Sequence, residues 1–318
     1  MAFLKNNALK LCALIACALL WPTPVQAAEG ISFASPRQQA TLMEVYVSQG
    51  CSSCPPAQNW VNQLIDSPRL WKDVVPVVFH VDYWDYLGWK DPFSSHDTTE
   101  RQRAYKTQGR VGSVYTPGFV VNGKEWRGWF RGGSLPEENK SAGVLQARLE
   151  SGQLSASYQT DTTKDLVLNV AVLGFGLKTD VTRGENRDRL LTEDFVVLSF
   201  ESHPSNDGNW QFTFPPKIPK ASKRAAVALW VSRKGDFTPL QATGGWLPQE
   251  AIDRSQDKTL ASDELQFLDS PDDPLSAPPT RLCIVRPFPS SPYHASTQDS
   301  AASVIPSSVS QRSPPVSS

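Results

Sequence analysis

The sequence predicts an α/β domain followed by a small all-β domain. Three observations carry that prediction. The strand-like run Leu42-Met43-Glu44-Val45-Tyr46-Val47 leads through Cys51-Ser52-Ser53-Cys54 into a helical stripe at Ala57, Trp60, Val61, Leu64 and Ile65. Val74 to Val81 is a nearly continuous apolar run, as in a strand buried on both faces. Beyond Ser151 the apolar period changes from helical to alternating.

The chain of 318 residues opens like a secretory signal. Lys5 and Lys10 precede the apolar run Leu11 to Trp21, which is too short to span a bilayer. Val25-Gln26-Ala27 is a small-x-small site, so residues 1–27 read as a signal peptide cleaved after Ala27. The expected location is the periplasm or the exterior, with no integral membrane segment once the signal is removed. Leu14-Ile15-Ala16-Cys17 resembles a lipoprotein box, but the apolar stretch continues past Cys17, so lipid anchoring there is the weaker reading. Cleavage leaves Cys51, Cys54 and Cys283, which is no disulfide framework. The ~290 residues that remain can bury a large core without staples. A net charge of −1 predicts no nucleic-acid partner and no acidic-membrane partner.

Each element of the first domain, residues 38–150, has its own signal. Leu42 to Val47 is the first strand and Ala57 to Asp66 the first helix, stopped by Ser67-Pro68. Pro55 and Pro56 fit only a helix's first turn, so the helix starts near Pro55 or is distorted there. Val74 to Val81 is the next strand, weakened early by Pro76. An aromatic insertion follows, with Tyr83, Trp84, Tyr86, Trp89 and Phe93, then a helix from Thr98 to Thr107. The aromatics suit either a packed insertion or a peptide-binding groove. Arg101, Arg103, Lys106 and Arg110 suit a solvated helix face or a basic rim. Phe119 to Gly123 reads as a strand entering a tight turn, with Glu125 to Phe130 pairing back. Pro136 to Glu150 fits a helix carrying Val144, Leu145, Ala147 and Leu149.

The second domain, residues 152–247, has strand candidates at 154–158, 166–172, 195–200, 210–214 and 225–231 with no helices between them. That composition predicts a sandwich-like all-β domain. Residues 248–318 form a linker and a tail that becomes rich in Pro and Ser from about Asp269, a composition expected to stay disordered.

The chemistry concentrates in C-x-x-C. A strand that feeds a helix through this motif places a thiol at the helix's positive end, which favours a thiolate. Cys51 is the candidate nucleophile and the more exposed thiol; Cys54, about one turn later, would resolve a mixed disulfide. Ser52 and Ser53 would either donate to the thiolate or serve as turn and capping residues. Thr116-Pro117, just before a strand, is the candidate substrate-positioning element. Alternation puts His80 and Asp82 on one face. They would adjoin the dithiol or cap the strand. A sharper version joins His80 to Cys51 and Cys54 as a copper or zinc site. His96 and Asp97 are adjacent, but no nucleophile elbow or H-E-x-x-H supports a hydrolase.

The strings Glu44 to Ala57, His80 to Phe93, Thr99-Glu100-Arg101-Gln102 and Val114-Tyr115-Thr116-Pro117 resemble the DUF1223 family, exported bacterial proteins with a thioredoxin-like domain. The resemblance is strong over residues 40–150 and weaker over 150–247. It implies a thioredoxin-like first domain, Cys51 and Cys54 as the redox pair, and a cis bond before Pro117. It leaves the Pro/Ser-rich tail uncovered.

The expected function is therefore thiol-disulfide exchange through Cys51 and Cys54, supported by Thr116, Pro117, Ser52, Ser53, Asp82 and Trp84, with no cofactor. Partners would be a thiol or disulfide protein, a small thiol, and a second copy docking through the all-β domain. Two alternatives stay open. One is a binding or assembly protein with a structural Cys51–Cys54 disulfide. The other is a copper or zinc carrier using Cys51, Cys54 and His80.

Overall fold

Period-two burial builds most of this molecule. A computed structural model describes residues 30–256, apart from 138–139, 215–217, 220 and 254. The signal peptide, Cys17, Cys283 and most of the 248–318 tail lie outside the described residues. The strands are β1 (Ile31–Ala34), β2 (Thr41–Val47), β3 (Val74–Val81), β4 (Ser94–Ser95), β5 (Gly118–Val121), β6 (Lys124–Glu125), β7 (Leu145–Glu150), β8 (Gln153–Tyr158) and β9 (Leu166–Phe175). After them come β10 (Leu177–Val181), β11 (Arg189–Glu193), β12 (Val196–Ser205), β13 (Asn209–Thr213), β14 (Arg224–Arg233) and β15 (Asp236–Trp246). Two α-helices flank the strands near the site: α1 (Cys54–Asn62), extended by a 3-10 turn at Gln63–Asp66, and α2 (His96–Thr107).

The result is a mixed α/β architecture with two large sheets. The larger has nine strands in the order β15-β14-β9-β12-β3-β2-β5-β6, with β4 beside β3. β2 and β3 run parallel, and β5 and β6 return antiparallel through Asn122-Gly123. Both turn residues have positive φ, 48° and 78°, which Asn and Gly accept most readily. The second sheet is four-stranded and antiparallel, β1-β7-β8-β13. β10 and β11 form a separate hairpin.

β3 is as continuous as its sequence suggested, and Pro76 does not interrupt it. Val78 donates its N–H to Phe195 O at the start of β12. Pro76, two residues earlier, faces the same side before β12 begins, so its missing donor leaves no ladder bond unmade.

Two expectations need correction. Residues 145–150 form strand β7, not the end of a helix. Leu145, Ala147 and Leu149 are buried while Gln146, Arg148 and Glu150 are exposed, so the period is two; the apolar positions alone had also fitted a helical face. The sheet also runs through the boundary expected near 151. β12 pairs in parallel with β3 at Val196 and Val78, which joins β9, β12, β14 and β15 to the strands around C-x-x-C. β8 and β13 join β1 and β7 instead.

β9 and β14 explain how one sheet serves two cores. Leu166, Leu168, Val170 and Val172 pack towards the four-stranded sheet with Val227, Leu229 and Val231. Ala171, Leu173 and Phe175 face the other way, with Ala226, Ala228 and Trp230, into the core that contains Cys51 and Cys54. Both faces are buried, which is why these strands read as long, mostly apolar runs.

Candidate functional site

The site begins where β2 ends. Ser48, Gln49 and Gly50 carry the chain from the sheet to Cys51, whose N–H donates to Ser48 O at 3.2 Å. α1 then starts at Cys54, with Pro55 and Pro56 in its first turn, where no intrahelical acceptor exists for an N–H. Ser53 holds the capping position but makes no side-chain cap. Its hydroxyl lies 3.2 Å from Cys51 Sγ instead. The first turn carries no acidic residue, so the helix's positive end is left for the sulfur.

Both cysteines carry free thiols, and both are nearly inaccessible: Cys51 is 1% exposed and Cys54 3%. The expected difference in exposure is therefore absent, because the aromatic loop and the β10–β11 hairpin close over the motif. Their surroundings differ instead. Hydrogen bonding from the Cys54 thiol, reinforced by Ser53 and Thr116, outweighs burial and lowers the Cys51 pKa to about 6. Burial, then the bond to Cys51 and its charge, pushes the Cys54 thiol well above its ordinary value.

Thr116-Pro117 lies against the motif. The peptide bond between them is cis. Thr116 O is 3.8 Å from Cys51 Sγ, and Thr116 Oγ1 accepts from Trp84 Nε1 at 2.8 Å. The loop is held from behind by α2, where Gln102 Nε2 donates to Tyr115 O at 2.7 Å. Gly118 follows because a Cβ there would sit 2.8 Å from Tyr115 O. Among the aromatics, Tyr86 is exposed and stacks on Trp84 at 6.5 Å.

His80 and Asp82 part company. Asp82 lies at the end of β3, where its N–H donates to Thr99 Oγ1 and its carboxylate accepts from the same hydroxyl. That is a strand-to-helix tie on α2. His80 lies buried, with Nδ1 2.7 Å from Asp91 Oδ2 and Nε2 3.8 Å from Glu193 Oε1. Burial pulls its pKa down, but the two carboxylates prevail and raise it to about 9. With His80 committed to these carboxylates, the metal reading loses its third ligand. Among the described residues, no group of three or more His, Cys, Asp or Glu side chains could hold a metal ion. Nor is Arg101 on a solvated face or rim; it is buried, with Nε 2.8 Å and Nη2 3.0 Å from the Glu44 carboxylate.

Several residues at the site carried no sequence signal. Gln49 N–H donates to Asp91 Oδ2 at 2.8 Å, and its side chain donates to Glu193 Oε2 at 2.6 Å. Asn186, fully buried in the β10–β11 turn, donates to Gln49 O at 2.9 Å and to Cys51 O at 2.8 Å. Glu185 accepts from both the N–H and the hydroxyl of Ser52. Thus Ser52 faces the hairpin and Ser53 faces the sulfur.

The model of a family described as a protein of unknown function (DUF1223) matches residues 42–232. The chain belongs to the DUF1223 family. The match takes in both the C-x-x-C loop and the hairpin that pins it. No curated protein matches the sequence. Among solved structures, a crystal structure of a protein from Agrobacterium tumefaciens is similar at TM-score 0.45 and 24% identity, covering 66% of this chain and 95% of that one. HBP35 of Porphyromonas gingivalis is similar at TM-score 0.42 and 12% identity, covering 79% of this chain and 83% of that one.

Proposed function

We propose that this DUF1223 protein is a thiol-disulfide oxidoreductase acting on protein or small-molecule disulfides. One observation carries the reading: two thiols at the start of one helix have opposed environments, Cys51 eased towards thiolate and Cys54 held protonated. Cys51 attacks one sulfur of a substrate disulfide, forming a mixed disulfide and releasing a thiolate that takes a proton from solvent. Cys54 then attacks Cys51 Sγ. The internal disulfide forms, the second substrate thiol leaves, and the substrate has gained two electrons. Run backwards, the same steps oxidise a substrate dithiol. Thr116 O, beside Cys51 Sγ, is the backbone acceptor that would align the substrate chain. Neither direction needs an organic cofactor; the electrons come from or go to another thiol.

The proposed setting is the periplasm or the cell exterior, a reading supported by the secretory-type pattern of residues 1–27 and suited to disulfides, which persist there. Among the described residues no helix is long and apolar enough to cross a membrane.

The near-complete burial of both sulfurs favours a second reading, a binding protein with a structural Cys51–Cys54 disulfide. The reduction potential of the pair separates the two. Equilibration in glutathione buffers with mass-spectrometric trapping should give a value of roughly −120 to −270 mV, the range of exchange proteins. A value below about −300 mV would place the pair with structural disulfides and overturn the proposal.

A further inference from the structure

Cys54 has a second aspect, facing a small cavity of about 90 Å³. Val47, Ser48, Gln58, Arg189 and Glu193 are among the residues around it. The volume admits several water molecules, and its surroundings offer them partners. Gln58 Oε1, on this wall, is buried and accepts no hydrogen bond. His80 Nε2, just beyond Glu193, is buried with no hydrogen-bond partner either.

A resolving thiol must lose its proton before it can attack, and burial holds the Cys54 proton tightly. Apart from Cys54 itself, the titratable groups on the cavity wall among the described residues are Arg189 and Glu193. Arg189 is a hydrogen-bond donor whose guanidinium donates to Asn186 Oδ1 at 2.8 Å. Glu193 is the one base there. It is 4% exposed; two groups contact it, and each of those is held in turn by another. Gln49, before α1, donates to its Oε2; His80 on β3 is 3.8 Å from its Oε1; Asp91, in the aromatic loop, holds the far side of His80; and Thr179 on β10 accepts from Gln49.

We propose that Glu193 accepts the Cys54 proton through water in this cavity during resolution of the mixed disulfide. The inference rests on the reading of Cys51 and Cys54 as an exchanging pair. The Cys54 proton passes to water and an equivalent proton reaches the Glu193 carboxylate. The Cys54 electron pair then forms the bond to Cys51 Sγ, and the bond from Cys51 to the substrate sulfur breaks. The departing thiolate takes its proton from solvent. Burial raises the Glu193 pKa against the pull of His80, which suits a carboxylate that must hold a proton briefly. The base comes from β11, so the C-terminal half of the protein supplies part of the dithiol chemistry rather than a docking surface alone.

The test uses the full reduced protein and an aromatic disulfide that releases a coloured thiolate. Stopped-flow absorbance gives two phases: attack by Cys51, then resolution by Cys54. Glu193→Gln preserves shape but cannot take the proton. It should leave the first phase within about twofold and slow the second by about 100-fold. It should also remove the part of the second phase's rise with pH that follows Glu193 ionisation, leaving the rise that follows deprotonation of the Cys54 thiol itself. Glu193→Ala should regain part of the second phase when formate is added. An unchanged second phase in Glu193→Gln overturns the relay and leaves the exchange reading standing. Equal slowing of both phases, with no formate effect, also overturns it and makes Glu193 a structural residue. A wild-type protein that releases no coloured thiolate at all fails the exchange reading itself.

Discussion

Ser53 is the residue on which the thiol asymmetry turns most cheaply. Its hydroxyl forgoes the helix cap and points at Cys51 Sγ, 3.2 Å away. A hydrogen bond to a charged group is worth about 1.5–3 kcal/mol, and one pKa unit about 1.4 kcal/mol. Ser53→Ala should therefore raise the Cys51 pKa by about one unit. Because thiolate is the reactive form, the wild-type alkylation rate should climb with pH around a midpoint near 6, and the variant's curve should lie to the right. A superimposable pair of curves would assign the low value to Cys54 and Thr116 alone. Cys51 and Cys54 were legible in the sequence, because a strand-loop-helix motif puts its own residues together; Ser53 was left open between two roles, and Thr116-Pro117 was marked by its place before a strand and by the family resemblance. Glu193, Asn186 and Asp91 were not, because a lone acidic or amide residue has the same local pattern whether it reaches solvent or a buried backbone.

The β10–β11 hairpin is the element that pins this motif, through Asn186 in its turn. Asn186 spends both side-chain protons on carbonyls of the C-x-x-C loop. Asn186→Ala leaves Gln49 O and Cys51 O without those bonds, at a cost of about 1–3 kcal/mol for each carbonyl left unsatisfied. Hydrogen exchange should speed up across residues 48–54 while β9 and β14 stay protected. Uniformly faster exchange would mean that the hairpin supports the whole fold. A second prediction belongs to β3, whose His80 carries the buried charge. Its folded pKa, about 9, lies above the model-compound 6.5. Its contribution to stability is therefore complete below about 6.5 and lost as pH rises through about 9. Urea unfolding at pH 6.5 and 9.5 should show wild-type losing more stability over that interval than His80→Gln. Parallel behaviour of the two proteins would rule out His80 as the titrating group.

At the scale of the molecule, the nine-stranded sheet makes the two sequence halves interdependent. Glu44 on β2 and Arg101 on α2 form a buried ion pair, joined by Tyr46 Oη at 2.8 Å and Tyr105 Oη at 2.5 Å. The other face of Arg101 is closed by rings from the C-terminal half. Its guanidinium lies 5.1 Å from Phe200, 5.6 Å from Trp230 and 4.6 Å from Phe237. Arg101→Met strands a buried carboxylate and should cost about 3–5 kcal/mol, read as a lower denaturation midpoint. A fragment ending at residue 151 would expose β3 where β12 pairs, and the apolar surface under β9 and β14. It should give poorly dispersed NMR spectra and rapid proteolysis. A well-dispersed spectrum would show instead that the first 151 residues fold alone.

The sequence by itself determined the local grammar. Alternation marked β8 and β13, and long apolar runs marked β9 and β14. Asn122-Gly123 marked its hairpin turn, and a strand followed by C-x-x-C and a helix marked the dithiol. These patterns are local because backbone geometry repeats every two or 3.6 residues. Only the tertiary structure decided which strands are neighbours. That choice put Glu193 on Gln49, 144 residues apart, and Asn186 on Cys51, 135 residues apart. Period reports that a face is buried, not what buries it. The partners of β3, and with them the groups behind the dithiol, were therefore fixed only when β12 closed against Val78.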